Sequence, residues 1–247
     1  MRTESQRSAL DWCHGYVLHR RPWRETSLWL EVFTREVGKV ALIAKGGRRP
    51  KRFPGGLQPF HPLLLRWRRR GDLANLTAAE TGGVAFPLTG EALFCGFYLN
   101  ELLSRLLARD DPHPGLFDGY RRVLLELAEG VDLEAALRRF ELTLLVEIGY
   151  APVLDHEVEY GNAIEAERRY RYVPERGPVA DADGWLHGRT LLDLSAGCLT
   201  SPRSRAEAKQ LLRLLIEPHL QGRPLQSRSL FRQRVKGHAS QTRSSRC

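Results

Sequence analysis

Ala44-Lys45-Gly46-Gly47-Arg48-Arg49-Pro50-Lys51-Arg52-Phe53-Pro54-Gly55-Gly56, followed after an apolar run by Arg66-Trp67-Arg68-Arg69-Arg70, is the stretch on which the fold of this chain turns. Five cations fall within the eight residues Lys45–Arg52. The glycines and prolines among them cannot carry a regular helix. Four more arginines then cluster around one tryptophan. A positive, irregular loop with aromatics on a β scaffold is the surface that a polyanion with stackable bases requires. The competing reading is a solvated loop kept basic for solubility.

Working outward, the loop is bounded by strand patterns on both sides. Upstream, Trp12–His19 reads as a first strand, Pro22-Trp23-Arg24-Glu25 as a turn, and Thr26–Thr34 as a second strand. In the second, Leu28, Leu30 and Val32 fall on one face and Trp29, Glu31 and Phe33 on the other. Arg35-Glu36-Val37-Gly38 is a hairpin loop, and Lys39–Lys45 returns as a third strand. Downstream, Leu63–Arg68 alternates as a fourth and Leu73–Thr81 closes as a fifth. Five short strands with one long irregular connection between the third and fourth suggest a small barrel, an OB-fold being the commonest version that binds single strands. Periodicity alone also fits an SH3-like barrel.

On such a barrel the candidate nucleic-acid contacts are Arg20, Arg21, Trp23 and Arg24 in the first connection, and Lys45, Arg48, Arg49, Lys51 and Arg52 in the long one. Arg66 and Arg68 share an outward face while Trp67 turns inward to the core, and Arg69 and Arg70 follow them. Trp23, Trp29, Phe53 and Phe60 are the stacking candidates. Each phosphate neutralised on a single strand contributes about 0.7 to the logarithmic salt slope, and each stacked base ~1–3 kcal/mol. Nothing resembles a recognition helix bearing bidentate base readers, so little sequence specificity is expected.

The net charge of +9 is unevenly spread over the 247 residues. Residues 1–81 hold 16 basic against 7 acidic side chains, residues 82–199 hold 11 against 20, and residues 200–247 hold 11 against 2. The acidic middle excludes a uniformly basic coat and fits a basic module joined to a differently charged body. Four dispersed cysteines without a CxxC pair argue against a disulfide framework and a zinc ribbon, so a reducing cytoplasm is the expected compartment. The N-terminus has no apolar core of a secretory signal, and no run is apolar enough to span a bilayer.

The second half reads as helical. One helix is expected from about Thr89 with Leu93, Phe97, Leu102 and Leu106 inward, a second over Gly115–Glu129, and a third over Asp132–Ile148. Asp132 is the expected N-cap of the third and Gly149 its stop, with Glu134 and Arg138 paired at i, i+4. These three helices are expected to pack as a bundle. Residues 151–187 form an irregular insertion in which Arg169–Val173 suggests an edge strand; Gly188–Leu194 and Arg203–Leu220 return to helix. The fold class is therefore α+β. An OB-fold barrel (1–81) precedes an α-helical domain (82–233), and a basic tail expected to be disordered (234–247) follows.

Catalytic patterns are missing. Lys45-Gly46-Gly47 lacks the Lys-Ser/Thr of a phosphate-binding loop, and His156-Glu157 is not followed by a second histidine in zincin spacing. Asp110, Asp111 and His113 read as a solvated helix stop between prolines rather than a metal cluster. No acid, base and nucleophile assemble, so no enzyme, metal or cofactor is expected.

Several stretches, read together, resemble the bacterial RecO family of recombination mediators. They are Tyr16-Val-Leu-His-Arg-Arg-Pro-Trp-Arg-Glu-Thr-Ser-Leu, Val40-Ala-Leu-Ile-Ala-Lys-Gly, Leu57-Gln-Pro-Phe-His-Pro-Leu-Leu-Leu, Phe97-Tyr-Leu-Asn-Glu-Leu-Leu-Ser-Arg-Leu-Leu, Ala136-Leu-Arg-Arg-Phe-Glu-Leu and Gly222-Arg-Pro-Leu-Gln-Ser-Arg. The resemblance runs from about Trp12 to Gln233. It implies an OB-fold before a helical domain, binding of single- and double-stranded DNA, annealing of complementary strands, and help in loading RecA onto DNA coated by the single-stranded DNA-binding protein. It implies RecR as a partner. Many relatives carry four zinc-binding cysteines in the insertion, whereas here only Cys198 and a distant His156 are at hand. Two ligands do not make a structural zinc site, and none is expected.

The resemblance also implies a receptor for the acidic, aromatic-ended tail of the single-stranded DNA-binding protein. Arg138 and Arg139 offer the cation and Leu142, Leu145 and Tyr150 the apolar pocket. Composition leaves two other classes open. One is an RNA-binding OB-fold accessory factor, since stacking and phosphate contacts do not distinguish the sugars; the other is a scaffold whose basic loops meet an acidic protein.

Overall fold

The protein is described by a computed structural model over residues 11–49, 52–53, 56–70 and 73–227. The expected contact Lys51 and the expected tail 234–247 lie outside these residues, and Arg70 is described in its backbone alone. Two compact units are present. One runs up to Ala128 and resumes at Leu225, and the other is Glu129–Pro224.

The first unit is built on a barrel of β1 (Cys13–Trp23), β2 (Ser27–Thr34), β3 (Gly38–Ala44), β4 (Leu63–Arg70) and β5 (Leu73–Thr81). The closed order is β1-β2-β3-β5-β4, with β3 and β5 parallel and β1 meeting β4. This is the OB-fold arrangement and settles the choice between barrels. The inward set is the expected one: Leu28, Leu30 and Val32 join Val17, Val40, Leu42, Leu65, Trp67 and Leu76 in one core. Trp67 is 3% exposed, whereas Arg66 and Arg68 face solvent.

β1 is longer than its pattern suggests. It continues through Arg20, Arg21 and Trp23, which therefore lie on a strand and not in a connection. Pro22 is accommodated because β1 pairs with β4 only over Cys13–Gly15, so that its far end has β2 alone as neighbour and forms an edge, where a missing N–H costs little. Arg24 takes a positive φ of 52° in the tight turn beyond.

Two helices, α1 (Gly90–Leu106) and α2 (Pro114–Glu129), belong to the same unit. α2 contributes Phe117 and Tyr120 to a cluster with Tyr16 and Phe33, ring centroids 5.2–6.4 Å apart. The buried face of α1 differs from the expected one. Leu99, Leu102 and Leu103 are sealed, Leu93 and Leu106 are half-buried, and Phe97 is 38% exposed. The face is rotated because it includes polar Asn100 and also Gly96, which leaves room for the Phe60 ring 2.8 Å from where a Cβ would stand. Buried Lys39 donates to the Ser104 carbonyl at 2.5 Å, and the Ser104 hydroxyl donates to Glu31, pinning α1 to β2 and β3. Burial holds the Lys39 ammonium below its ordinary pKa, with Glu31 opposing that effect.

The second unit contains α3 (Leu133–Glu147), a sheet ordered β7-β6-β8 (Gly177–Ala180, Arg169–Val173, Leu186–His187), α4 (Gly188–Ser195) and α5 (Pro202–Ile216). The expected bundle of three successive helices is thus divided between units. Arg169–Val173 is the central strand and not an edge, with Tyr170 and Tyr172 buried. Asp132 caps α3 as expected, accepting from the Ala135 amide at 3.1 Å, and its other oxygen takes Arg205 at 2.5 Å. Glu134 pairs with Lys209 at 2.9 Å and Arg138 with Glu141 at 2.7 Å, replacing the expected pair between them.

The insertion carries a loop organised on one carboxylate. Glu157, 1% exposed, accepts from the amides of Glu159, Tyr160 and Asn162 and from the Asn162 side chain, at 2.8–3.2 Å. Burial opposes ionisation there, but these donors outweigh it and hold the carboxyl below its ordinary pKa. Tyr160 stands 83% exposed at the loop's tip.

Candidate nucleic-acid interface

A strand whose far end runs past its partner leaves an open mouth, and here the mouth is lined by cations. Between the end of β1 and the connection from β3 to β4 lies a cleft of about 540 Å³, with Arg20, Arg21, Arg48 and Arg49 around it and Phe53 and Leu57 at its base. The cleft keeps its shape through backbone bonds. The Arg48 amide donates to the Thr26 carbonyl at 3.0 Å, and its guanidinium donates to the Glu25 carbonyl at 2.8 Å, tying the connection to the hairpin turn. The Arg49 and Arg52 amides close further turns onto Gly46 and Arg49. A carbonyl acceptor leaves the formal charge of Arg48 uncompensated, so this arginine still presents positive charge to the cleft.

The outer face of β1 and β2 is a second surface. Arg21 lies opposite Trp29, its guanidinium 4.7 Å from that ring centroid and 5.9 Å from Trp23's. His19 meets Trp29 edge-on at 6.2 Å. Both tryptophans are half-buried, as stacking platforms need to be. Expected stackers Phe53 and Phe60 are instead interior. Phe53 is 4% exposed in the barrel core with Arg52 4.7 Å over its ring, and Phe60 is 5% exposed against α1. Flanking glycines and prolines made both look like loop residues, but their rings complete the floor of the barrel and of α1.

The remaining expected contacts are scattered. Arg24 sits at the hairpin tip, and Lys45 and Arg52 are exposed along the connection. Arg66 covers Trp12 at 5.1 Å, an aromatic that strand reading had left at the margin of β1. Arg68 is exposed. Arg69 is drawn into a two-pronged contact with Asp110, at 3.0 and 2.5 Å, which neutralises it. Among the described cations of the opening motif, then, only Arg48 and Arg49 line the cleft with Arg20 and Arg21.

The expected tail receptor on α3 is less open than its sequence implies. Arg138 is 5% exposed and held by Glu141, with its Nε left without an acceptor; Leu145 is fully buried. Arg139 and Leu142 are half-buried, and Tyr150 is 51% exposed with its ring 3.9 Å from that of His219. An exposed arginine pair is therefore not what α3 presents.

No three His, Cys, Asp or Glu side chains converge as a metal centre needs among the described residues. Cys198 is exposed, and His156 is paired with Asp155 at 2.8 Å. No described helix is long and apolar enough to cross a membrane.

Comparison with known proteins covers almost the whole chain. The family model for the recombination protein O N terminal region matches residues 10–83, and that for the C terminal region matches residues 87–229. The DNA repair protein RecO of Methylococcus capsulatus is 52% identical over 234 residues, 94% of this chain and 96% of its own. That of Azoarcus sp. is 46% identical over 91% of this chain and 96% of its own, and that of Nitrosococcus oceani 49% identical over 88% and 91%.

Proposed function

This chain belongs to the recombination protein O family, a family of DNA repair and recombination, and from that premise we propose that it acts without covalent chemistry, as a binder and annealer of DNA strands. The observation that carries the reading is the cleft with Arg20, Arg21, Arg48 and Arg49 on an OB-fold barrel. Fixed guanidinium groups neutralise backbone phosphates of one strand, and Trp23 and Trp29 beside Arg21 give its bases a stacking face without reading their identity. A second strand brought to the same positive surface meets less repulsion from the first, so complementary bases find each other faster. Duplex DNA is held by the same cations.

The mediator role extends this reading. With RecR, the protein helps load RecA onto single strands coated by the single-stranded DNA-binding protein. It is held at the coat by that protein's acidic tail, whose carboxylate meets Arg139, the accessible arginine of the expected pair, while its aromatic ring lies by Leu142 and Tyr150. Annealing of complementary oligonucleotides coated with the single-stranded DNA-binding protein, with and without RecR, tests the whole. Acceleration that disappears on replacing the four cleft arginines supports it; unchanged acceleration refutes it. Matched RNA and DNA strands at one salt concentration decide between nucleic acids. Undiminished tail-peptide binding by Arg139→Ala protein removes the tail contact alone.

A further inference from the structure

Asn100 is 3% exposed on the inner face of α1, among leucines, in a helix whose other buried positions are apolar or small, or in one case a tyrosine. A buried amide needs partners for its donor and its acceptor. Its Nδ2 donates to the Leu18 carbonyl at 3.0 Å, and its Oδ1 accepts from the Tyr120 hydroxyl at 2.5 Å. Burial, reinforced by neighbouring Tyr16, keeps the Tyr120 phenol protonated well above its ordinary range. The Leu18 carbonyl can only accept, so it takes the amide N–H and leaves Oδ1 for the Tyr120 hydroxyl, which decides which way the amide points.

Leu18 is not an arbitrary acceptor. In the ladder between β1 and β2, Val17 faces Val32 and His19 faces Glu31, so Leu18 is the extra residue of a β-bulge. Such a residue is left outside the ladder and its polar groups must be satisfied elsewhere. The bulge also shifts the phase of everything after it. Val17 points into the barrel, so unbroken alternation would turn His19 and Arg21 inward. With Leu18 inserted, Arg20 stands opposite Leu30 and Pro22 opposite Leu28, on the side of the barrel core, while Arg21 stands opposite Trp29 on the outer face. Opposed residues share a face. One skipped residue therefore exchanges the roles of two adjacent arginines.

We propose that Asn100 is the positioning residue of the nucleic-acid site: by holding the Leu18 bulge it sends Arg20 to the cleft and Arg21 to the tryptophans. The inference rests on the reading of the barrel as the DNA surface and adds to it a residue that touches no nucleic acid. Asn100→Asp is isosteric, keeps the acceptor for Tyr120 and sets an acceptor against the Leu18 carbonyl. Tyr120→Phe removes only the hydroxyl that donates to the amide oxygen.

Binding of a labelled oligothymidylate is measured as a function of salt for both variants, for Arg20→Gln/Arg21→Gln, and for the combinations, with circular dichroism to confirm folding. The arginine double variant is expected to lower the salt slope by about 1.4, at about 0.7 for each phosphate contact. Asn100→Asp is expected to lower it as much and Tyr120→Phe by part of that, and neither adds to the arginine losses when combined with them. A folded variant at Asn100 or Tyr120 with the native slope, or losses that add in full, overturns the assignment. If Asn100→Asp does not fold, Tyr120→Phe decides the matter by the same criteria. An arginine double variant with the native slope overturns the reading of the cleft itself, and this inference with it.

Discussion

Replacing Arg20, Arg21, Arg48 and Arg49 together by Gln removes four positive charges from a cleft of about 540 Å³ and the tryptophan face beside it. If each meets one phosphate of a single strand, the logarithmic salt slope falls by about 2.8, at about 0.7 per contact. Between 50 and 200 mM salt, that share of the slope corresponds to about a 50-fold change in affinity. The native protein should show this loss, and the variant should not. Fluorescence anisotropy of a labelled oligothymidylate over that range reads it directly. The Arg48 guanidinium also ties the connection to the Glu25 carbonyl, so a fall in affinity alone could come from a loosened loop. Lysine at the same four positions separates the causes, because it keeps the charge and loses the fork. The lysine variant should retain the native slope at reduced affinity. A glutamine variant with the native slope, or a lysine variant that loses the slope as the glutamine one does, refutes charge neutralisation at this cleft.

Three further outcomes follow from packing and titration. Phe53→Ala should lower stability by about 3–5 kcal/mol in denaturant melts without DNA, since the ring lies in the barrel core; unchanged stability would return it to the list of stacking residues. Asp110→Asn should free the Arg69 guanidinium from its two-pronged partner and raise oligonucleotide affinity at low salt, with less than about 1 kcal/mol lost in stability because the pair is exposed. The Glu157 carboxyl is held below its ordinary value of 4.5, so its contribution to stability is complete above that pH and disappears as pH falls through the lowered value. Glu157→Gln should therefore melt earlier than the native protein at pH 7, with the difference closing in acid; a difference independent of pH would contradict the assignment.

Much of the barrel was legible because alternation is a local signal. Leu28, Leu30 and Val32 face inward and Trp67 fills the interior as the period of two demands. The capping of α3 by Asp132 was equally readable, since a cap is a property of three or four consecutive residues. What escaped the sequence was long-range. The bulge at Leu18 is held by a side chain 82 residues away, and no window along β1 contains it. Arg69 loses its charge to Asp110, which lies 41 residues downstream. Arg138 reads as the exposed partner of Glu134 one turn back, whereas Glu141 takes it instead, and the burial of that pair depends on what packs around α3. The cleft was half visible: Arg48 and Arg49 were conspicuous, but their meeting with Arg20 and Arg21 follows from the length of β1.

Residues Leu225–Ser227 return to the barrel's unit after the second unit has been completed. There the amides of Gln226 and Ser227 and the Ser227 hydroxyl all donate to the Glu101 carboxylate of α1, at 2.7–2.9 Å, and Leu225 is buried. During synthesis a ribosome releases the barrel and its two helices long before this clasp exists. A nascent chain stopped at any codon before Leu225 leaves the Glu101 carboxylate with Arg105 beside it but without these three donors, so truncated products should be less stable and more readily degraded even though every arginine of the cleft has already been made.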